Sequence, residues 1–342
     1  MSQINSAENI IVDRGDRSPA AAAAFGSERG DSALGDRSLR PTPSPAIHAA
    51  ALSKHFGETV AVKSLSITVE RGEVFGFLGP NGAGKTTVVK LLLGLVRPSG
   101  GEALVLGAPL GDREVRRHIG YLPELFRFQA LLTAREVLRL HCRLLSLPKS
   151  AWEQEERRVL ETVGLLERGD DRVGTFSKGM QQRLGLGVAL LGDPTLVVLD
   201  EPTSALDPVG RHDVREIIRG LRERGCTVFL NTHLLEEAEH VCDRVAVIDK
   251  GEAVATGSLD ELLGRHGRVR LKVGGLGESW PTGLGGFGRW HRQGEWIVVE
   301  GIDSSRIADL VEELVAKGGR VEAVIPEHQS LEARFLELLG QR

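Results

Sequence analysis

The chain has 342 residues, of which 41% are hydrophobic and 26% charged, and its 43 basic side chains nearly balance its 47 acidic ones. This length predicts two or three domains of ~100–200 residues each, and the composition is that of an ordinary globular protein. The near-neutral charge argues against a strongly basic nucleic-acid binder, so we expect no nucleic-acid partner. No apolar run approaches the ~20 residues that cross a bilayer, so we expect no membrane span.

Residues 1–46 are predicted to form a disordered tail. They contain an alanine run at 20–24, end in the proline-rich segment 41–45, and include few large apolar side chains. So little apolar surface cannot offset the conformational entropy that is lost when a chain becomes ordered. A tail that binds a partner or directs targeting is the alternative.

Residues 47–265 are predicted to form the main α/β domain. Residues 74–78 form a short, fully apolar run that predicts a buried strand, and residues 86–95 predict a helix that stops before Pro98. An amphipathic, helix-rich block covers about residues 134–166. Further buried strands are predicted at residues 196–199, 227–230 and 244–248. Apolar strands that alternate with helices favour a mostly parallel sheet covered on both faces.

Residues 266–342 are predicted to form a small α+β domain. Its elements follow the order β-β-α-β-α. They cover residues 269–273, 296–299, a helix that ends near 316, 321–325 and 331–339. This part of the sequence contains no candidate catalytic residue.

The strongest motif is the segment GPNGAGKTT at residues 79–87, which satisfies G-x-x-x-x-G-K-[ST] between a predicted strand and a predicted helix. Its glycines allow successive backbone N–H groups to turn towards phosphate oxygens, and the following helix adds its positive dipole end. Lys85 is predicted to bind the β- and γ-phosphates, and Thr86 is predicted to bind Mg²⁺. The candidate nucleotide-binding residues in this loop are Gly79, Asn81, Gly82, Ala83, Gly84, Lys85, Thr86 and Thr87.

A second motif places two acids directly after the predicted strand at residues 196–199. Asp200 would lie at the carboxyl edge of the sheet, where open α/β sheets bind ligands, and would hold Mg²⁺ through water. Glu201 would polarise the attacking water as a general base. A strand that merely ends in a polar turn is the structural alternative.

Together these motifs resemble the ATP-binding cassette of ABC transporters, over about residues 51–258. The other matches follow in the family's order along the chain. They are Phe56, Glu124 in the segment YLPE, Ser177 and Gly179 in the segment FSKGM, the segment SALD at 204–207, and His233. The resemblance implies a P-loop NTPase fold with an antiparallel β part and a helical subdomain at about residues 124–175.

The same resemblance implies roles for these residues. Phe56 would stack on adenine, although a core aromatic is the alternative. Ser177 and Gly179 would contact the γ-phosphate of ATP bound by the opposite subunit. His233 would contact the γ-phosphate and Glu201; an ordinary histidine after a strand is its alternative. Asp207 would lie at the dimer interface or cap a helix before Pro208.

Three residues depart from the common family pattern and point to one branch of the family. Glu124 stands where glutamine is usual, which adds a negative charge near Mg²⁺ and makes it a candidate metal ligand. The segment FSKGM at residues 176–180 occupies the position of the family's signature segment. In it, Lys178 replaces a glycine and Met180 a glutamine, whereas Ser177 and Gly179 are kept. This combination, with the appended C-terminal domain, resembles the exporter branch that includes drug, antibiotic and sodium efflux ATPases.

The expected function is therefore that of the ATPase subunit of a membrane exporter, with ATP and Mg²⁺ as cofactors. It would act as a head-to-tail homodimer on the cytoplasmic face of the membrane and drive a separate polytopic permease subunit. Phe126, Phe128 and Leu131 after Glu124 would offer the permease an apolar contact, unless they pack in the core. The alternative is a soluble, non-transport ABC ATPase that acts on ribosomes or DNA. Its usual second cassette, long coiled coil and zinc inserts are not seen in this sequence.

Overall fold

The structure is a computed structural model that describes residues 44–204, 206–263, 266–275, 284–327 and 330–340. All of them belong to one of two units of the chain, Pro43–Arg342. The predicted tail lies outside the described residues except for its last three positions. Its disorder therefore stays a prediction.

A ten-stranded mixed sheet forms the centre of the fold, with strands in the order β5-β4-β1-β2-β10-β9-β3-β8-β7-β6. Strands β9, β3, β8, β7 and β6 pair in parallel, whereas β5, β4, β1 and β2 pair antiparallel. The predicted α/β class with an antiparallel part is thus confirmed. The strands are β1 (Ile47–Phe56), β2 (Thr59–Val69), β3 (Val74–Leu78), β4 (Gly100–Val105), β5 (Ala108–Pro109), β6 (Ile119–Leu122), β7 (Leu196–Asp200), β8 (Thr227–Thr232), β9 (Arg244–Asp249) and β10 (Glu252–Ser258).

The central strands are covered on both faces, as their continuous apolar runs predict. Every residue of β3, β7 and β8 is buried. Along β7, Val197 and Leu199 belong to one hydrophobic cluster, whereas Leu196 and Val198 belong to another. Because successive side chains of a strand point to opposite faces, the two clusters lie on the two sides of the sheet.

Ten α-helices lie in the described part of the chain, and none of them is long and apolar enough to cross a membrane. Helix α1 ends three residues earlier than the predicted 95, because Gly94 adopts a φ of +64°, a left-handed conformation that ends helices. The helices are α1 (Lys85–Leu92), α2 (Arg113–Arg116), α3 (Ala134–Leu144), α4 (Trp152–Thr162), α5 (Lys178–Ala189), α6 (Pro208–Glu223), α7 (Leu235–Val241), α8 (Leu259–Leu263), α9 (Ile307–Ala316) and α10 (Leu331–Gly340).

A separate four-stranded antiparallel sheet follows, in the order β12-β13-β11-β14. Helix α9 packs on it, and residues such as Leu271 and Leu310 form its own hydrophobic cluster. The sequence misses strand β12, so the element order differs from the predicted β-β-α-β-α. A domain boundary at residue 266 stays a prediction, although β11 begins there. The strands are β11 (His266–Gly274), β12 (Arg289–Gln293), β13 (Trp296–Asp303) and β14 (Arg320–Glu327).

The last helix, α10, packs against helices of the part of the chain that forms the large sheet. It contacts α7 and α8, and its first residue, Leu331, is only 1% exposed. Leu331 belongs to the same hydrophobic cluster as Ala238 and Val241 of α7. Its backbone N–H donates a hydrogen bond to the Glu239 carboxylate. The helix predicted within the small C-terminal domain therefore contributes to the core of the large sheet.

Candidate active site

The glycine-rich loop connects β3 to α1 at the carboxyl end of the parallel strands. Gly82 and Gly84 have φ angles of +82° and +102°, which side-chain-bearing residues rarely adopt. A Cβ atom on Gly84 would lie 2.3 Å from the carbonyl oxygen of Ala61, whereas one on Gly82 would meet nothing within 4 Å. Gly84 is therefore required for close backbone packing, while the backbone at Gly82 stays open to a ligand.

Lys85, the first residue of α1, is folded back onto this loop. Its Nζ donates hydrogen bonds to the carbonyl oxygens of Gly79 at 2.7 Å and Pro80 at 3.3 Å. Burial lowers the pKa of the Lys85 ammonium, while the nearby carboxylates of Glu201, Asp200 and Glu124 act in the opposite direction. The loop thus holds a cation at the point where the sequence predicts phosphate binding.

Asp200 lies at the end of β7 and is 1% exposed. Asn231, the residue opposite it on β8, donates a side-chain hydrogen bond to its Oδ1 atom. Burial raises the pKa of the Asp200 carboxyl group, and the neighbouring charges of Glu124 and Glu201 raise it further. The Asn231 hydrogen bond and Lys85 oppose this shift, so both favour the ionised carboxylate.

Glu201 occupies a constrained backbone position directly after β7. Its φ of +52° is unusual for a residue other than glycine, and its N–H donates to the carbonyl oxygen of Asn231 at 2.8 Å. Its Oε1 atom lies 2.8 Å from Nδ1 of His233, and its Oε2 atom accepts a bond from the Thr232 hydroxyl at 3.3 Å. A residue held in a rare conformation by several partners is typical of a functional site.

The two motifs, Glu124 and His233 meet around one cleft with a volume of about 340 Å³. The glycine-rich loop forms one wall, and the ends of β7 and β8 form another. The lining residues are Thr59, Val60, Ala61, Pro80, Asn81, Gly82, Gly84, Lys85, Thr86, Thr87, Glu124, Asp200, Glu201, Asn231 and His233. Of the remaining predicted loop residues, Gly79 contacts Lys85 through its carbonyl oxygen, and Ala83 is buried in the core.

The oxygen donors on this cleft suit a hard divalent cation. Thr86 offers a hydroxyl, and Asp200 and Glu124 offer carboxylates. Among the described residues no cluster of three or more His, Cys, Asp or Glu side chains could hold a metal alone. This donor set fits Mg²⁺, which is usually bound by one or two carboxylates together with the phosphates of a substrate.

Phe56 does not line the cleft. It lies at the end of β1 with half of its side chain exposed, and the Lys54 ammonium lies 4.8 Å from the centre of its ring. The alternative interpretation of Phe56 as a core aromatic is therefore wrong. Its stacking on adenine stays a prediction.

Ser177 and Gly179 lie at a second cavity, of about 370 Å³, whose lining also includes Asp207. Ser177 caps α5 by accepting a hydrogen bond from the Met180 N–H at 3.2 Å. Asp207 caps α6 by accepting one from the Gly210 N–H at 2.8 Å, which confirms the capping interpretation. Within one chain, the signature residues are thus separate from the cleft that contains Lys85.

The sequence analysis did not identify three residues at the site: Asn231, Thr232 and Tyr121. Asn231 and Thr232 are polar residues at the end of an otherwise apolar strand, and that pattern was the available signal. Tyr121 lies on β6 beside the acids. Burial, with the charges of Asp200 and Glu124, raises its pKa to about 12.

Comparison with known proteins identifies the family. Residues 62–204 match the ABC transporter family. The chain is 41% identical over 293 residues to an uncharacterized ABC transporter ATP-binding protein of Nostoc sp. (strain PCC 7120), an alignment that covers 83% of this chain and 85% of the relative. The chain belongs to the ABC transporter ATP-binding proteins. This ABC ATPase is also 43% identical, over 65% of its length and 73% of the relative's, to a Nod factor export ATP-binding protein of Rhizobium sp. (strain N33).

A solved structure agrees with this assignment. The structure of an ATP-binding subunit of an ABC transporter superposes with a TM-score of 0.58 at 32% sequence identity, covering 64% of this chain and 91% of that chain. The matched fold is the α/β cassette predicted from the motifs. This ABC ATPase therefore binds and hydrolyses ATP, as the ATP-binding subunits of transporters do.

Proposed function

We propose that this chain is the ATP-hydrolysing subunit of an exporter, which binds Mg²⁺ with ATP and drives separate membrane subunits from the cytoplasmic face of the membrane. The observation that carries the proposal is the single cleft at which the glycine-rich loop, both acids, Glu124 and His233 converge. The similarity to a Nod factor export protein supports the direction of transport.

In this proposal one set of residues in the cleft binds the phosphates of ATP and another binds Mg²⁺. Lys85 and the N–H groups of the loop bind the phosphates, since a cation and a helix N-terminus both favour negative charge there. Thr86, Asp200 and Glu124 hold Mg²⁺ directly or through water, and the ion neutralises charge on the β- and γ-phosphates. Phe56 lies on the exposed end of β1, where a planar base could stack on it.

Glu201 is the proposed general base for hydrolysis. Its carboxylate is nearly buried yet borders the cleft, so it can accept a proton from a water molecule that attacks the γ-phosphate. His233 fixes one carboxylate oxygen of Glu201, and Thr232 fixes the other. His233 itself is 43% exposed and can reach a phosphate at the opening of the cleft.

The separation of Ser177 and Gly179 from the cleft supports a head-to-tail homodimer. Both residues lie at the N-terminus of α5, where a hydroxyl and free N–H groups favour an anion. Within the chain these groups face a different cavity from the one that contains Lys85. Two copies related by a two-fold axis would place each signature segment on the ATP of the other copy.

An apolar groove beside the Glu124 loop is the proposed contact with the permease. The groove has a volume of about 350 Å³ and is lined by residues of β6, α3, the loop between them and α5. Phe126 and Phe128 are half-buried in it, with ring centres 5.2 Å apart, so they combine core packing with a partly open surface. Leu140 lines the groove and is 47% exposed, and Leu131, which lies outside the lining, is 70% exposed. Such exposed apolar side chains suit an apolar helix of a partner.

Trapping the dimer tests the proposal. We expect Glu201→Gln to keep ATP binding, to lower the hydrolysis rate by about 10²-fold or more, and to form a dimer with ATP and Mg²⁺ in size-exclusion chromatography. Lys85→Ala is the matched control, since it should lose both ATP binding and the dimer. A Gln variant that stays monomeric and hydrolyses ATP at the normal rate would overturn the role of Glu201.

A further inference from the structure

One buried residue at the site has no role in the proposed function. Asn231 is the fifth residue of β8, follows three buried apolar residues and is 1% exposed. Its side-chain amide donates to Oδ1 of Asp200, and its backbone carbonyl accepts the N–H of Glu201. One residue of β8 therefore contacts both acids at the end of β7.

The amide contact matters because it fixes how the Asp200 carboxylate is presented to the cleft. Asp200 is only 1% exposed, so the protein groups around it set its orientation. A donor on one carboxylate oxygen leaves the lone pairs of the other oxygen available to a ligand. Among the residues that the structure describes, Asn231 is the only side chain that donates a hydrogen bond to Asp200.

The carbonyl oxygen of the Asn231 side chain indicates that an asparagine at this position does not favour folding. Its Oδ1 atom is buried and has no hydrogen-bond partner among the described residues. A buried acceptor without a partner loses its hydrogen bonds to water on folding and gains none in return. A strand position that only had to fill space could avoid this cost with an apolar side chain, as Val228, Phe229 and Leu230 do on the same strand.

We infer that Asn231 is a positioning residue for metal binding: its amide occupies Oδ1 of Asp200 and leaves Oδ2 of that carboxylate to bind Mg²⁺, directly or through water. The inference rests on the proposed Mg²⁺ role of Asp200. Groups that orient metal ligands from behind typically contribute 10–100-fold to metal affinity. The backbone carbonyl of Asn231 fixes Glu201 as well, but that contact is independent of the side chain.

Comparing ATP binding with and without Mg²⁺ tests the inference. The variant Asn231→Leu keeps the approximate volume of the side chain and removes the donor; Asn231→Ala removes the same donor and serves if the leucine variant does not fold. We expect ATP affinity in the presence of EDTA to stay within about twofold of wild type. Adding Mg²⁺ should increase ATP affinity in both proteins. The Mg²⁺ concentration needed for half of that increase should be about tenfold or more higher in the variant than in wild type.

A matched control lies on the same strand. Thr227 is also 1% exposed, and its hydroxyl accepts a hydrogen bond from the Gly72 N–H at 2.9 Å. It is the first residue of β8, at the opposite end of the strand from Asn231. Thr227→Val should lower stability, yet keep the Mg²⁺ dependence of wild type. If Asn231 were merely structural, the Asn231 and Thr227 variants would both keep that dependence.

Asp200→Asn separates the two levels of the proposal. If it raises the half-saturating Mg²⁺ concentration and the Asn231 variants do not, the inference about Asn231 is overturned and the role of Asp200 stands. If Asp200→Asn itself leaves the Mg²⁺ dependence unchanged, the proposed metal role of Asp200 fails and the inference falls with it. A rise in Asp200→Asn and in both Asn231 variants, with Thr227→Val as wild type, supports the inference.

Discussion

At the scale of single residues, Glu124 lies on the loop after β6, whose residues line both the nucleotide cleft and the apolar groove. Its exposed carboxylate lines the cleft, and its charge acts on both Lys85 and Asp200. Three positions earlier, Tyr121 lines the groove, and burial together with the charges of Asp200 and Glu124 raises its pKa. The loop after β6 thus borders both the cleft and the groove, which is where the proposed function needs a residue that couples the two.

This position predicts a specific effect of Glu124 on coupling. Glu124→Ala should keep ATP affinity within about tenfold of wild type, ~1.4 kcal/mol, because the glycine-rich loop, Asp200 and Glu201 stay intact. It should lose most of the stimulation of ATPase activity that assembly with the membrane subunits causes. Glu124→Gln, which restores the commoner family residue, should retain this stimulation. The measurement is the ATPase rate of each protein alone and after reconstitution with the membrane subunits in vesicles.

Equal stimulation of wild type and Glu124→Ala would remove Glu124 from the coupling path and leave it as a solvated loop residue. A loss of stimulation in both variants would instead show that the carboxylate itself is needed. The two variants thus separate the presence of a polar side chain from the presence of a charge.

The residues proposed to bind phosphate and Mg²⁺ were predictable because the patterns that specify them are local in the sequence. A nine-residue segment specifies the loop around Lys85, and an apolar strand followed by two acids specifies Asp200 and Glu201. Asn231 was not predictable in this way, since its importance comes from the register of β8 beside β7, which pairs it with Asp200. That pairing joins positions far apart in the chain, and no local pattern encodes it.

At the scale of elements, the sequence predicts β3, β7, β8 and β9 among the five adjacent parallel strands, but misses β6 and, in the second sheet, β12. Strands β3, β7 and β8 are buried on both faces, so their apolar runs are unmistakable. Strand β12 is an edge strand of the second sheet, and four of its five residues are exposed. Its sequence, RWHRQ, has one apolar residue, Trp290, so it lacks the alternation that identifies a half-buried strand.

Helix α10 gives a prediction about how elements support the site. It packs on α7, the helix that begins two residues after His233, through the buried side chain of Leu331. Leu331→Ala should lower the free energy of unfolding by about 2–5 kcal/mol, as for other leucines removed from a core. Leu336→Ala, on the same helix but 63% exposed, should change it by less than about 0.5 kcal/mol.

Urea unfolding of the three proteins checks this prediction. A larger decrease for Leu331→Ala than for Leu336→Ala shows that α10 is part of the cassette core in solution. Equal midpoints for the two variants would show that the helix does not dock on α7.

At the scale of the whole molecule, the sites lie on different surfaces of one framework. The carboxyl ends of β3, β7 and β8 place the nucleotide cleft at one edge of the sheet, as is general for open α/β sheets. The signature segment at the start of α5 opens onto a second cavity, and α3 and the Glu124 loop form the apolar groove. Such an arrangement suits a subunit that joins a second copy on one side and a membrane protein on another.

The groove supplies the last prediction. Leu140 is on α3, lines the groove and is 47% exposed, so Leu140→Glu should place a charge in the proposed permease contact at little cost to the fold. We expect it to abolish co-purification with the membrane subunits while ATP affinity of the isolated subunit stays within about twofold. Val315→Glu, on α9 and 55% exposed, is the matched control and should co-purify like wild type. Because a buried, unpaired charge costs several kcal/mol at an interface, co-purification of Leu140→Glu at the wild-type level would place the permease contact elsewhere on the molecule.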